Sequence, residues 1–248
     1  MFFLLVALFL LGLATLRFGG IVKVREIEVV FVDEHGPSQP RHLSRQVVKN
    51  LTRIGYKDNI FKLDLKRVRE RLMAHPWVKW ARVDRSWLRG IIKVYVQERE
   101  PVGRVEGTGG KGLLVDAEGV VLGVDVQVKP VIRCGFPLPE GIAELPWAGE
   151  LLAVYRGFHL CSSLYPVVDF TELPVVVLRS DTGDLPPVVF DLGPEDGFLN
   201  GFRRAASRLE ALISKMGSEA LGLFERVDCR LPDGCVLIPG KRPSAKGG

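Results

Sequence analysis

The stretch from Asn59 to Val102 restricts the fold more than any other part of the chain. It contains an amphipathic helix that Asp64 can cap, a break at Pro76, and two β-prone segments at about 78–85 and 91–97. The proline ring disfavours helical geometry at the residue before it and therefore ends the helix. The apolar face of this helix consists of Leu65, Val68 and Leu72. This order predicts a helix packed on one face of a small sheet.

The residues upstream extend this unit to a β-α-α-β-β order. Residues 24–32 alternate charged and β-branched side chains, as a half-buried strand does. Ser44 can cap a first helix, and Gly55 can end it in the left-handed conformation. In the first strand after Pro76 the apolar positions change phase, which predicts a β-bulge near Lys79-Trp80. The sequence therefore predicts two helices on one face of the sheet.

An apolar segment lies at the N-terminus. As a helix, Phe2 to Leu16 would span about 22 Å, and extension to Val22 gives about 31 Å, close to a hydrocarbon core of about 30 Å. We predict a transmembrane helix over residues 1–22, with the Arg17 guanidinium at the interface. A signal peptide cleaved near residues 18–20 is the alternative. No Lys or Arg precedes the segment, and a start codon further upstream would reconcile this with the positive-inside rule.

After Pro101 the chain changes to short β-prone runs separated by glycines. A polar turn at residues 117–119 joins two of these runs in a predicted hairpin. Helices are predicted at 147–164 and 197–216, and a last hairpin has strands at 224–231 and 235–238. The fold class predicted is α+β. The predicted parts are a transmembrane anchor (1–22), a β-α-α-β-β domain (23–99), a mixed β-rich domain with two helices (100–240) and a disordered tail (241–248).

Charge is distributed unevenly along the chain. The formal net charge is +5, but residues 17–100 carry 19 Lys/Arg against 10 Asp/Glu, and residues 101–248 carry 15 against 19. A basic first domain fits an acidic lipid surface or an acidic partner, and it also fits an ordinary solvated helix face. The basic residues lack interleaved aromatic residues and any finger motif, so nucleic-acid binding is not predicted.

No pattern of residues predicts catalysis, a cofactor or a metal. The four histidines have no neighbouring nucleophile, and no His or Cys pair has metal-ligand spacing. Ser180 to Asp184 reads SDTGD, like the catalytic loop of retroviral-type aspartic proteases, but no second Asp-Thr-Gly supplies the other carboxylate. We therefore predict a turn there. The cysteines are predicted to be buried free thiols, with a disulfide between Cys229 and Cys235 as the alternative in an oxidising compartment.

Several short motifs carry a family resemblance. In the first domain they are Asn59-Ile60-Phe61, Leu63-Asp64-Leu65, Pro76-Trp77-Val78, Ala81-Arg82-Val83 and Glu98-Arg99-Glu100-Pro101-Val102. In the second they are the turn in Val115–Val120 and the segment Val227–Gly234. These motifs resemble the POTRA domain, and more narrowly the bacterial cell-division family FtsQ/DivIB, over nearly the whole chain. The pairing of Pro-Trp-Val with Glu-Arg-x-Pro-Val is the most specific signal.

The resemblance implies a non-enzymatic scaffold of the divisome that links early and late septal proteins by contacts outside the cytoplasm. It implies a single-pass, type II protein of the inner membrane at the division septum, with most of the chain extracytoplasmic. The implied partners are FtsB/DivIC-like and FtsL-like division proteins, with other divisome members bound through the POTRA domain.

In this family the C-terminal strand is the docking edge for FtsB. A strand at a sheet edge offers backbone N–H and C=O groups to which a visiting strand can add. The resemblance implies this partner-binding role for Leu231, Gly234, Cys235, Val236, Leu237 and Ile238. Leu231 stands where the family often has Tyr, which predicts more aliphatic docking chemistry. The alternative is that the hairpin only completes the core.

Two other functions fit parts of the sequence. A POTRA-containing secretion or outer-membrane assembly factor would share the first domain, but such proteins usually continue into a barrel of alternating ten-residue strands. A secreted hydrolase with a cleaved signal peptide would share the N-terminal segment.

Overall fold

The computed structural model describes residues 2–18, 22–110, 112–124, 128–191, 197–231 and 234–240. The chain divides into two compact units, residues 1–99 and 100–248. The predicted tail (241–248), the predicted signal-cleavage positions 19 and 20, and residues 232–233 of the last predicted turn lie outside the described residues.

The first unit begins with helix α1, Phe2–Phe18, which has 17 residues. Within the described ranges, no helix combines the length and the apolar character needed to cross a membrane. Helix α1 covers residues 2–18 of the segment predicted to span the membrane (1–22), and residues 19–21 lie outside the described residues.

The rest of the first unit has the predicted β-α-α-β-β order with one added short strand. Its elements are β1 (Glu26–Asp33), β2 (Gly36–Pro37), α2 (Arg45–Thr52), α3 (Leu65–Met73), β3 (Val78–Ser86) and β4 (Ile91–Glu98). The sheet order is β2-β1-β4-β3, with β1 parallel and β3 antiparallel to β4. Helix α2 packs against β1 and helix α3 against β3. The buried side of β4 consists of Ile92, Val94 and Val96.

Local sequence signals determine most of the boundaries in this domain. The Ser44 hydroxyl accepts a hydrogen bond from the Val47 N–H, and the Asp64 carboxylate accepts one from the Arg67 N–H. Both predicted N-caps are therefore confirmed. The predicted bulge is confirmed as well, because the register of β3 against β4 shifts before Trp80.

The predicted cap at the end of α2 is wrong. Arg53, not Gly55, takes the left-handed conformation, with φ of 52°. The Thr52 hydroxyl donates to the Lys49 carbonyl and accepts the Ile54 N–H, at 2.7 and 3.3 Å. These bonds satisfy the end of the helix two residues before the glycine, so the glycine is not needed as the cap.

The second unit is a long sheet covered by helices. Its strands are β5 (Pro101–Glu106), β6 (Gly112–Asp116), β7 (Val121–Val124), β8 (Val131–Cys134), β9 (Val167–Phe170), β10 (Val175–Arg179), β11 (Val188–Asp191), β12 (Phe224–Asp228) and β13 (Val236–Pro239). Its helices are α4 (Pro146–Arg156), α5 (His159–Leu164), α6 (Phe198–Met216) and α7 (Ser218–Leu221). The nine strands follow the order β13-β12-β11-β10-β9-β8-β5-β6-β7. The protein is thus an α+β chain with a β-rich second unit.

The helix predicted over 147–164 is two helices, α4 and α5, separated at Gly157. Glycine weakens a helix interior, and Phe158 after it packs against the core. The core itself lies between the helices and the sheet. The ring of Phe202 on α6 meets Tyr155 on α4 at 5.4 Å and Phe190 on β11 at 5.7 Å, both edge-on. This core holds α6 against α4 and β11.

Candidate partner-binding edge

The last two strands form an antiparallel hairpin at one end of the second sheet. In its register Asp228 lies opposite Val236, Val227 opposite Leu237, and Arg226 opposite Ile238. Strand β12 also pairs in parallel with β11, whereas β13 is the terminal strand of the order. The outer side of β13 is therefore an open edge of the sheet as far as the described residues extend.

The backbone of Leu237 faces this open edge. The Val227 N–H donates to the Pro187 carbonyl at 3.0 Å, and the Cys229 N–H donates to the Val189 carbonyl at 2.7 Å, so Val227 in β12 and Cys229 just after it face β11. The N–H and C=O of one strand residue point to the same side, and neighbouring residues alternate. The residue opposite Val227 is Leu237, which consequently directs both groups away from β12.

The open edge has few backbone donors within β13. Pro239 has no N–H and cannot donate to a visiting strand. Before β13, Cys235 forms a disulfide with Cys229, across which the Cα atoms are 4.0 Å apart. The prediction of free thiols is wrong for this pair, because the hairpin brings the two cysteines together. The available edge is short and centred on Leu237.

The structure separates the predicted site residues into two groups. Cys235 to Ile238 lie on or beside β13, where Leu237 packs partly against the core and Val236 is 48% exposed. Leu231 is 56% exposed and lies in the loop before β13, where its carbonyl accepts a hydrogen bond from Arg208 of α6 at 2.9 Å. Gly234 is half-buried just before the disulfide.

The strand predicted at 224–231 ends early, at Asp228. The carboxylate of Asp228 accepts hydrogen bonds from the Arg230 backbone N–H at 3.2 Å and from its guanidinium at 2.8 and 2.5 Å. Such a local turn by Asp competes with continued pairing. The bonds from Arg230 and its charge hold the pKa of Asp228 below its usual range, although partial burial opposes this. The sequence pattern did not indicate a role for Arg208, Asp228 or Arg230, and the i, i+2 spacing of the last two was the available signal.

The remaining candidates for chemistry have structural roles. Ser180 and Thr182 hydroxyls lie 3.1 Å apart in a bend, and Asp181 forms an ion pair with Lys129, so the predicted turn at SDTGD is confirmed. Burial raises the pKa of the free Cys134 thiol to about 11, with the Asp169 charge adding to the effect. Among the described residues, no group of three His, Cys, Asp or Glu side chains could hold a metal ion.

The motifs of the first domain fasten its loops. The Glu98 carboxylate accepts backbone N–H groups of Arg41, His42 and Leu43 at 2.8, 2.9 and 2.6 Å. The His42 ring stacks on Trp77, with centroids 4.2 Å apart. The Pro-Trp-Val and Glu-Arg-x-Pro-Val motifs thus hold the segment before α2 against the end of β4.

The turn motif of the second unit, within Val115–Val120, also uses a carboxylate to accept backbone N–H groups. Asp116 is buried and accepts the N–H groups of Glu118 and Val120 at 3.0 and 2.8 Å. Gly119 has φ of 82°, and a Cβ there would lie 2.3 Å from the Leu145 carbonyl oxygen. The motif therefore builds a tight turn under the start of α4.

The chain is similar to known proteins over part of its length. Residues 38–99 match the sequence model of the FtsQ-type POTRA domain. The chain carries an FtsQ-type POTRA domain. It is also 28% identical over 120 residues to the cell division protein FtsQ of Salinibacter ruber, a match that covers 48% of this chain and 45% of that protein. The chain thus spans less than half the length of this FtsQ. The resemblance to the FtsQ/DivIB family is confirmed.

Proposed function

We propose that this protein is a non-enzymatic scaffold of the cell-division machinery, which links early and late septal proteins by contacts outside the cytoplasm. The similarity to FtsQ supports the role in division. The observation that carries the binding mode is the terminal position of β13, with the backbone of Leu237 directed at the open edge.

The proposed partners are FtsB/DivIC-like and FtsL-like division proteins. One strand of such a partner adds to β13, and its backbone pairs with the N–H and C=O of Leu237. The outward side chains of Val236 and Ile238 contact alternate residues of the added strand. Other divisome members bind the POTRA domain.

We further propose that α1 anchors the protein in the inner membrane as a single-pass, type II span, with most of the chain after it extracytoplasmic. A helix of 17 residues reaches about 25 Å, and local thinning of the bilayer accommodates the mismatch with about 30 Å. Apolar side chains of α1 such as Leu5 and Phe9 are 60% and 68% exposed, which supports a lipid environment. The disulfide supports an oxidising compartment.

The docking mode is tested by comparing Leu237→Pro with Leu237→Ala in the full chain. Proline at 237 removes the outward N–H and leaves pairing with β12 intact, because position 237 does not donate to β12. Alanine keeps the N–H and removes the same aliphatic contact. Affinity for the purified FtsB/DivIC-like and FtsL-like partners should fall about tenfold or more further in the proline variant than in the alanine variant.

Circular dichroism and the protected amides of β12 serve as the folding control for both variants. A folded Leu237→Pro protein that binds these partners as well as Leu237→Ala would refute strand addition at β13. Binding that both variants lose equally would assign the contact to the side chain of Leu237 and not to its backbone.

A further inference from the structure

We propose that one end of the POTRA domain is a surface that docks on anionic lipid headgroups. This surface, the N-proximal face, consists of Val22–Arg25, Gly55–Lys62 and Arg85–Gly90. The inference rests on the proposed anchoring of α1. It adds a lipid contact to the protein contacts proposed for this domain.

The three segments form one end of the domain through backbone hydrogen bonds. The Val24 N–H donates to the Asp58 carbonyl at 3.0 Å, and the Arg25 N–H donates to the Gly90 carbonyl at 2.8 Å. The Arg85 guanidinium donates to the carbonyl of Ile60 at 3.1 Å. The loop between α2 and α3 and the turn between β3 and β4 are therefore held beside the start of β1.

The N-proximal face is strongly basic. Its six basic residues are all exposed, and they are Lys23, Arg25, Lys57, Lys62, Arg85 and Arg89. Its one acidic residue, Asp58, uses its carboxylate to accept the Gly55 N–H at 2.8 Å. A surface of this sign attracts the negative charge of phospholipid headgroups.

The same face presents large apolar and aromatic side chains. Leu88 is 78% exposed, Tyr56 is 58% exposed and Trp87 is 47% exposed. The Trp87 ring packs against the Phe61 ring, with centroids 6.3 Å apart, and this contact helps to hold its orientation. Aromatic residues beside Lys and Arg are typical of the interface between a bilayer and water.

The chain length selects lipid over a soluble partner. Helix α1 ends at Phe18 and the N-proximal face begins at Val22. Four residues reach at most about 14 Å when fully extended. With α1 in the bilayer, the basic and aromatic side chains cannot be far from the headgroups, and docking them costs little additional entropy of the tether.

The test uses the full chain in lipid vesicles, with a polarity-sensitive fluorophore on Leu88→Cys. The matched control carries the label on Glu34→Cys, beyond the opposite end of β1, about 25 Å from the N-proximal face. The native cysteines are either buried or in the disulfide, so the label is selective. In phosphatidylcholine vesicles with phosphatidylglycerol, nitroxide lipids should quench the label at 88 and not the label at 34.

Charge is tested with the double variant Lys57→Gln, Arg89→Gln. Each basic side chain near an anionic surface contributes about a fivefold factor, so the ratio of docked to undocked label at 88 should fall about 25-fold. High salt should also lower the ratio of docked to undocked label at 88, because it screens the attraction between the basic side chains and the headgroups. Equal quenching in vesicles without phosphatidylglycerol would refute the proposed headgroup recognition.

Alkaline carbonate extraction separates this inference from the anchor proposal. If the chain resists extraction and the label at 88 stays as unquenched as the label at 34, docking is refuted and the anchor stands. If carbonate removes the chain, the anchor fails, and phosphatidylglycerol-dependent quenching before extraction still decides docking. A label at 88 that responds only to added division proteins would assign the face to protein, against the proposal.

Discussion

Reduction of the Cys229–Cys235 disulfide should loosen β13 specifically. The bond closes a loop with a sequence separation of 6 residues beside the proposed docking strand. Strand β13 pairs only with β12 among the described elements, so its detachment exposes little else. While the bond is intact, re-pairing orders only the residues of β13 itself. After reduction, re-pairing must also close the loop.

The size of this effect follows from the loop length. The chain-entropy relation gives about 2.2 kcal/mol for a loop of this size, which corresponds to about a 40-fold change in the opening equilibrium of the hairpin. Cys229 belongs to the buried core and Cys235 packs partly against it, but reduction removes no side chain, so the reduced protein should remain folded outside the hairpin. Binding of the proposed partners should weaken, because the detached strand must be ordered again.

Amide hydrogen exchange measured by NMR provides the assay. The N–H groups of Val236 and Ile238 face β12 and should exchange about 40-fold faster after reduction with dithiothreitol. The N–H of Leu237 faces the open edge, exchanges rapidly in both states and is the internal control. Unchanged exchange at Val236 and Ile238 would refute the reasoning, as would equal acceleration throughout the second unit.

Three further predictions follow from the local geometry. Gly119→Ala should destabilise the second unit by about 2 kcal/mol or more in urea unfolding, because φ at Gly119 is positive and the added Cβ would clash with the Leu145 carbonyl oxygen. Gly109→Ala is the control and should change the free energy of unfolding little, because an added Cβ there meets open space. Glu98→Ala should destabilise the POTRA domain by about 1–3 kcal/mol and Glu98→Gln by less, since Gln keeps an acceptor for the loop N–H groups. The pKa of Asp228 is lower in the folded state than in the unfolded state. Its carboxylate therefore contributes fully to hairpin stability above the unfolded-state pKa of about 3.9. This contribution is lost as the pH falls through the folded-state pKa. Hydrogen exchange of β13 against pH should show this loss, and Asp228→Asn should abolish it.

The sequence was most informative where structure is decided within a few residues. Ser44 and Asp64 cap helices because a side-chain oxygen at that position accepts a hydrogen bond from a backbone N–H of the first helical turn, which has no partner within the helix. The phase change at Trp80 produced the bulge, since side-chain alternation in a strand leaves no other way to keep one face buried. The end of α2 was mispredicted because Thr52 competes for the same groups.

The break between α4 and α5 shows where local reasoning stops. The apolar pattern continued through Gly157, but α4 ends at Arg156 and Phe158 packs, partly buried, against the core. The disulfide between Cys229 and Cys235 is a second feature that depends on the tertiary structure. Only the closed hairpin brings the two Cα atoms within 4.0 Å.

The amino-acid sequence by itself determined most of the elements, both N-caps of the first domain, the turn at 117–119 and the motifs that resemble an FtsQ-type POTRA domain, because these depend on neighbours a few positions apart. Only the tertiary structure decided that β13 is the terminal strand of the second sheet, within the described residues, and that Leu237 directs its backbone outward. Strand order depends on partners far away in the chain, such as β11 beside β12, and the direction of each N–H is fixed only when those partners are in register.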